Sequence, residues 1–130
     1  MRLLMCVAVI ALLAGCATEE GRRIQQQLQN FFSSSKGQPA LTQGVRFYDD
    51  GEYGQSAKSL QTALDQGLPD KDKVRAHKYL AFIHCSQNRE RPCREEFRKA
   101  LAVDPSMELA PAEAGHPVWG PIFRSLKAGR

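Results

Sequence analysis

The 130 residues hold no glycine-rich phosphate loop, no paired metal-ligand motif and no clustered basic stripe. These absences leave nucleotide chemistry, a ready-made metal centre and a nucleic-acid surface without support. No apolar run reaches the roughly 20 residues that a membrane-spanning helix needs. Charge of either sign is modest: the formal net charge is +4, and Arg2 is the only charge in the first fifteen residues, so the rest carries 4 − 1 = +3. An enzyme would need a paired acid and base, or a nucleophile and base, in one cleft. Glu52, Glu95, Glu96, Glu108 and Glu113 are expected on solvent faces or in turns, His116 is a lone histidine in a turn, and no cofactor is implied. At 42% hydrophobic and 25% charged, the chain reads as one ordinary globular domain, a binder or scaffold before an enzyme.

What is present begins at the first residue. Met1-Arg2 gives a short positive start, Leu3 to Leu13 is an apolar run of eleven residues, and Leu13-Ala14-Gly15-Cys16 follows. The run is the length of a signal-peptide core. Small residues and then cysteine resemble the lipobox of bacterial lipoproteins. The resemblance implies cleavage after residue 15, with Cys16 as the lipidated N-terminus. Ala17, where lipoproteins kept in the inner membrane often carry Asp, favours the periplasmic face of the outer membrane. Residues 1–15 are thus expected to be a signal peptide, 16–38 a lipidated tether and 39–130 a folded domain.

Within the tether, Ile24, Leu28, Phe31 and Phe32 recur at i, i+4, i+7 and i+8, one face of a helix. A helix this short is unstable alone in water. The expectation is a short helix laid on the domain or fraying, with a docking helix for a partner or a membrane surface as the sharper alternative.

From Ala40 the pattern becomes helical and doubled. Leu41, Gly44, Phe47 and Tyr48 precede a break at Gly51, and Tyr53, Ala57, Leu60, Ala63 and Leu64 follow. Leu80, Ala81 and Ile83 precede a polar break at 87–91, and Cys93, Phe97, Ala100 and Leu101 follow. Ala63-Leu64 and Ala100-Leu101 are 37 residues apart, close to the ~34 of a tetratricopeptide repeat. The small residues, aromatics, Ala-Leu pairs and Pro105 resemble that family, which implies an all-α fold of two helical hairpins. Asp70 is expected to cap the third helix, Pro92 to sit in the first turn of the fourth, and Asp104-Pro105 to end it. Pro111, Pro117 and Pro121 break any long helix. Ile122, Phe123 and Leu126 mark a final helix that caps the array, as such arrays need.

Two cysteines remain, Cys85 and Cys93, four residues either side of Arg89 at the middle of a turn. Facing positions in a helical hairpin suit a disulfide that staples it. Two buried free thiols, or a metal site with His77 and His84, are the alternatives.

The lipobox, the two repeats and Cys85…Cys93 leading into FRKALAVDPSMELAPAEAGHPVWGPIFRS together resemble the TssQ family of lipoproteins associated with type VI secretion. The most specific part is PAEAGHPVWGPIFR, residues 111–124. The resemblance implies an accessory of the secretion machine at the outer membrane and carries over no catalytic residue. The expected function is a lipid-anchored adaptor that binds a protein component of an envelope secretion apparatus. A pilotin-like or assembly lipoprotein of another envelope system is the alternative. Helical phase assigns Leu41, Val45, Tyr48, Arg75, Lys78 and Phe82 to a partner groove on the concave face. Oligomeric state is left open.

Overall fold

The computed structural model describes residues 19–129, and every regular element among them is an α-helix. Cys16 and the signal peptide therefore lie outside the described residues. The chain divides at Ser33 and Ser34 into two units. In the first, α1 (Glu19–Ser34) opens with Glu19 and Glu20, acids that suit the positive end of the helix dipole. Its apolar side chains, Ile24, Leu28, Phe31 and Phe32, are 50% to 66% exposed.

The second unit holds two helical hairpins and a C-terminal helix. The first hairpin is α2 (Gln38–Asp49) and α3 (Tyr53–Gln66). Pro39 stands in the first turn of α2, where a missing N–H costs nothing. Gly51 turns the chain at φ 77°, a left-handed conformation that a side chain would strain. The two helices cross closely because position 44 is glycine: a Cβ there would stand 2.8 Å from the Leu60 side chain. Buried Ser56 fixes the crossing by donating from Oγ to the Gly44 carbonyl at 2.7 Å.

The second hairpin is α4 (Asp70–Ser86) and α5 (Glu90–Val103), turned through Asn88 at φ 57°. Asp70 is not the cap expected of it. Pro69 takes that place, and Asp70 is the first helical residue, its carboxylate 2.9 Å from Lys73 Nζ. The charge still serves the helix start without accepting a backbone hydrogen bond. Pro92 does fall in the first turn of α5, and Asp104 ends it.

Beyond Asp104 the chain crosses back through Met107 and Leu109, both buried, into a single turn, α6 (Pro111–Ala114), and then α7 (Trp119–Ala128). The α6 turn is an addition to the expected elements. Its proline and the capping bond from Ala110 N–H to Glu113 Oε2, 3.0 Å, account for it. As expected, α7 caps the array. Phe123 meets the Phe97 ring edge-on at 5.3 Å, and Trp119 stacks on Phe82 at 4.5 Å.

Two apolar clusters form the core. Leu41, Val45, Leu60, Ala63, Ala76, Leu80 and Ile83 join the first hairpin to α4. Ala81, Phe82, Cys85, Cys93, Phe97, Leu101, Trp119 and Phe123 join α4 to α5 and α7. Helix α4 feeds both, so its apolar residues wrap most of its circumference.

Cys85 and Cys93 face one another across the second hairpin, with Cα atoms 5.2 Å apart and sulfurs at bonding distance. Of the three alternatives, this geometry fits the disulfide. A loop this short constrains the unfolded chain by about 2–3 kcal/mol. Truncating a buried phenylalanine such as Phe97 costs about 3–5 kcal/mol, so the core outweighs the staple. A Cys85→Ala, Cys93→Ala double variant is expected to stay folded and to lose about 2–3 kcal/mol in urea titration. Loss of the folded baseline altogether would show the hairpin to depend on the bond.

Candidate docking face

The first helices of the two hairpins, α2 and α4, lie side by side and carry a row of aromatic rings. The Gly51 turn brings Tyr53 to 5.4 Å from Tyr48, and Tyr48 lies 4.9 Å from Tyr79. Tyr79 leads to Phe82 at 6.0 Å, Phe82 to Trp119 at 4.5 Å, and Trp119 to His116 at 3.3 Å with the two rings nearly parallel. The three tyrosines are half-buried and Phe82 is fully buried. Burial first, then the neighbouring Tyr53, Tyr79, Glu113 and Asp49, push the Tyr48 hydroxyl up to about 12. It therefore stays protonated and able to donate.

A second row, of cations, runs along α4. Lys71, Arg75 and Lys78 are spaced i, i+4 and i+7, which puts them on one helix face. Lys78 is held: its ammonium is 2.7 Å from Glu113 Oε1 and lies over the Tyr79 and Phe82 rings at 5.5 and 5.8 Å. Glu113 also receives the Trp119 indole N–H on its backbone carbonyl at 2.9 Å. This knot pins the C-terminal segment onto α4. Lys71 and Arg75 are exposed and form no ion pair among the described residues. With Asp72, Val74, Lys78, Met107 and Glu108 they line an open cleft of about 420 Å³, three cations to two acids.

A larger cleft, about 510 Å³, is lined by Leu109, Phe123, Arg124 and Lys127. Its two cations already bind the backbone, Arg124 the Ala114 carbonyl at 3.1 Å and Lys127 the Met107 carbonyl at 3.0 Å. Their hydrogen-bonding capacity is partly spent on holding α7. The α4 cleft, with two cations in no ion pair among the described residues and a third that leads to the tyrosine row, is the better equipped of the two to receive a charged partner.

Half of the expected groove belongs elsewhere. Leu41 and Val45 point into the first core cluster, and Phe82 is sealed beneath Trp119, so these three side chains cannot line an open groove. The difference is one of phase. Helical phase alone points to the most apolar stripe of each helix as the binding surface, whereas in so small a domain that stripe is what packs. Of the other three, Arg75 and Lys78 line the α4 cleft with Lys71, and Tyr48 belongs to the tyrosine row with Tyr53 and Tyr79. Lys78, over the Tyr79 ring and paired with Glu113, joins the two sets. The i, i+4, i+7 spacing of the cations is the signal in the sequence that points to this face.

Glu96 is a further correction. It is buried, not on a solvent face, and its carboxylate bridges the second hairpin: Oε2 lies 2.7 Å from His77 Nδ1 and Oε1 2.6 Å from Lys99 Nζ. Ion pairing makes the burial tolerable. Desolvation raises the Glu96 pKa, but hydrogen bonds from His77 and Lys99, together with their charges, outweigh it and hold the carboxyl below its ordinary 4.5. His84, the other candidate ligand, has its Nδ1 buried with no hydrogen-bond partner. Burial, and then Arg89, lower its pKa and favour the neutral ring. Among the described residues, no three His, Cys, Asp or Glu side chains gather where they could hold a metal ion. No described helix is long and apolar enough to cross a membrane.

No family model, curated protein or solved structure matches the chain.

The Glu96 network sets a pH dependence. A carboxyl whose folded pKa is depressed contributes stability that is present above its unfolded value and is lost as pH falls through the folded one. Glu96→Gln is therefore expected to be less stable than the wild type at pH 7, with the gap narrowing below pH 4.5. Urea titrations at pH 7 and pH 3.5 check this; a gap of constant size would remove Glu96 ionisation as the cause.

Proposed function

We propose that the protein is a lipid-anchored periplasmic adaptor that holds an acidic segment of a secretion-apparatus component at the outer membrane. The carrying observation is the cleft on α4, where exposed Lys71 and Arg75 stand with Lys78, whose ammonium lies over the Tyr79 ring at the edge of the tyrosine row. Tyrosine and arginine are among the residues most often found to anchor protein interfaces, because each combines apolar area with directed hydrogen bonds. Two unpaired cations select an acidic partner and speed its approach. The lipobox resemblance supplies the anchor at Cys16, and the C-terminal segment's resemblance to the TssQ family supplies the type VI assignment. A short face of this kind binds modestly alone. Confinement of both partners to one membrane raises their effective concentration and compensates.

A photo-crosslinking residue at Tyr79, in cells grown with and without a Lys71→Glu, Arg75→Glu background, tests the reading. A crosslink to a component of the secretion apparatus is expected in the parent. The double reversal should reduce it about ten-fold or more, the weight of one lost charge-assisted contact, while the thermal melt is unchanged. Equal crosslinking in both backgrounds, or none to an envelope protein, would refute it. Palmitate labelling tests the anchor separately: incorporation is expected in the wild type and absent from Cys16→Ala.

A further inference from the structure

The stripe on α1 has no use in the α4 docking face. Ile24, Leu28, Phe31 and Phe32 are 58%, 50%, 63% and 66% exposed, large apolar side chains in positions where globular proteins usually keep few. Their spacing gathers them into one arc of a 16-residue helix. The rest of the circumference is polar. Gln26, Gln29 and Asn30 lie away from the arc, Arg22 and Arg23 lie with them on the polar side, and Glu20 borders the arc. A helix that is polar over most of its surface, with its apolar side chains confined to one arc, is suited to lie in the plane of a membrane interface. Its apolar side then sinks roughly 5–10 Å into the boundary between headgroups and acyl chains.

Position in the chain chooses the occupant. Helix α1 starts at Glu19, three residues after Cys16. Three residues of chain span at most about 11 Å. If Cys16 carries acyl chains, the first turn of α1 is held at the headgroups and the stripe cannot be far from the bilayer. We propose that α1 is an interfacial helix, seated on the same membrane leaflet that receives the Cys16 lipid, with Ile24, Leu28, Phe31 and Phe32 inserted and the polar side, Arg22 and Arg23 included, turned to water. This rests on the reading of Cys16 as the anchor. The acyl chains confine the helix, and the helix in turn lays down the first two dozen ångströms of the mature chain (16 residues, ~1.5 Å each) along the surface.

The test is fluorescence of the full lipidated chain reconstituted in phosphatidylcholine vesicles, with or without bromine on the acyl chains. Phe31→Trp puts a reporter in the stripe, and Gln26→Trp puts one on the polar side. The wild type supplies the background of buried Trp119. Bromine quenching of Phe31→Trp in excess of the wild type, roughly two-fold stronger than for Gln26→Trp, is expected for a ring below the headgroups. Equal quenching of the two variants, or none above the wild type, would overturn the proposal. So would a Phe31→Trp emission that is shifted to the blue yet unquenched, since protein rather than lipid would then cover the stripe. Palmitate labelling of the same preparation separates the two readings. Without label the anchor fails, and the contrast between the two reporters with vesicles added from outside still decides the helix.

Discussion

Phe82 is the point at which the second unit closes. Its ring is stacked under Trp119 and stands within 6.3 Å of the rings of Tyr48, Tyr79 and Phe97, so one side chain touches material from α2, α4, α5 and α7. Dispersion between two atoms is small, but a buried aromatic collects dozens of such contacts and removes a large apolar area from water. The position of the C-terminal segment follows from this stack. Once Trp119 covers Phe82, its indole N–H reaches the Glu113 carbonyl and the Glu113 carboxylate meets Lys78. The polar knot directs the segment, and the aromatic stack supplies most of the adhesion.

That arrangement divides the outer surface of α4. Its middle is taken up by the protein's own tail, and its N-terminal half, with Lys71 and Arg75, is left open to solvent. The tyrosines beyond Lys78 are already packed against one another, so little side-chain entropy would be lost on covering them. Tyr48, neutral across the physiological range, offers a hydroxyl donor at the centre of the row.

The helical spacing, the glycine and proline breaks and the repeat period are legible in the sequence because each reflects local backbone preference. Gly51, Pro92 and Asp104 all act where the sequence places them. The two hairpins and the capping helix can be read on the same grounds. What resists reading depends on contacts distant in sequence. The burial of Glu96 needs His77, nineteen residues away, and the tie of Glu113 needs Lys78, thirty-five away. An acidic residue in a helix looks solvated until its partner is known. Leu41, Val45 and Phe82 leave the groove for a related reason: periodicity reveals an apolar face and is silent on whether a neighbouring helix or a ligand will cover it. The α6 turn is hidden by the prolines around it.

Helix α4 contributes to both apolar clusters. In long solenoids each repeat touches only its neighbours, and stability is close to a sum over units that can fray one at a time. Here both hairpins draw on the same helix, and neither retains its apolar floor if α4 melts. The second unit is therefore built to open all at once. Its population of half-open forms is small, and so is its exposure to proteases, which cut whatever transiently unravels.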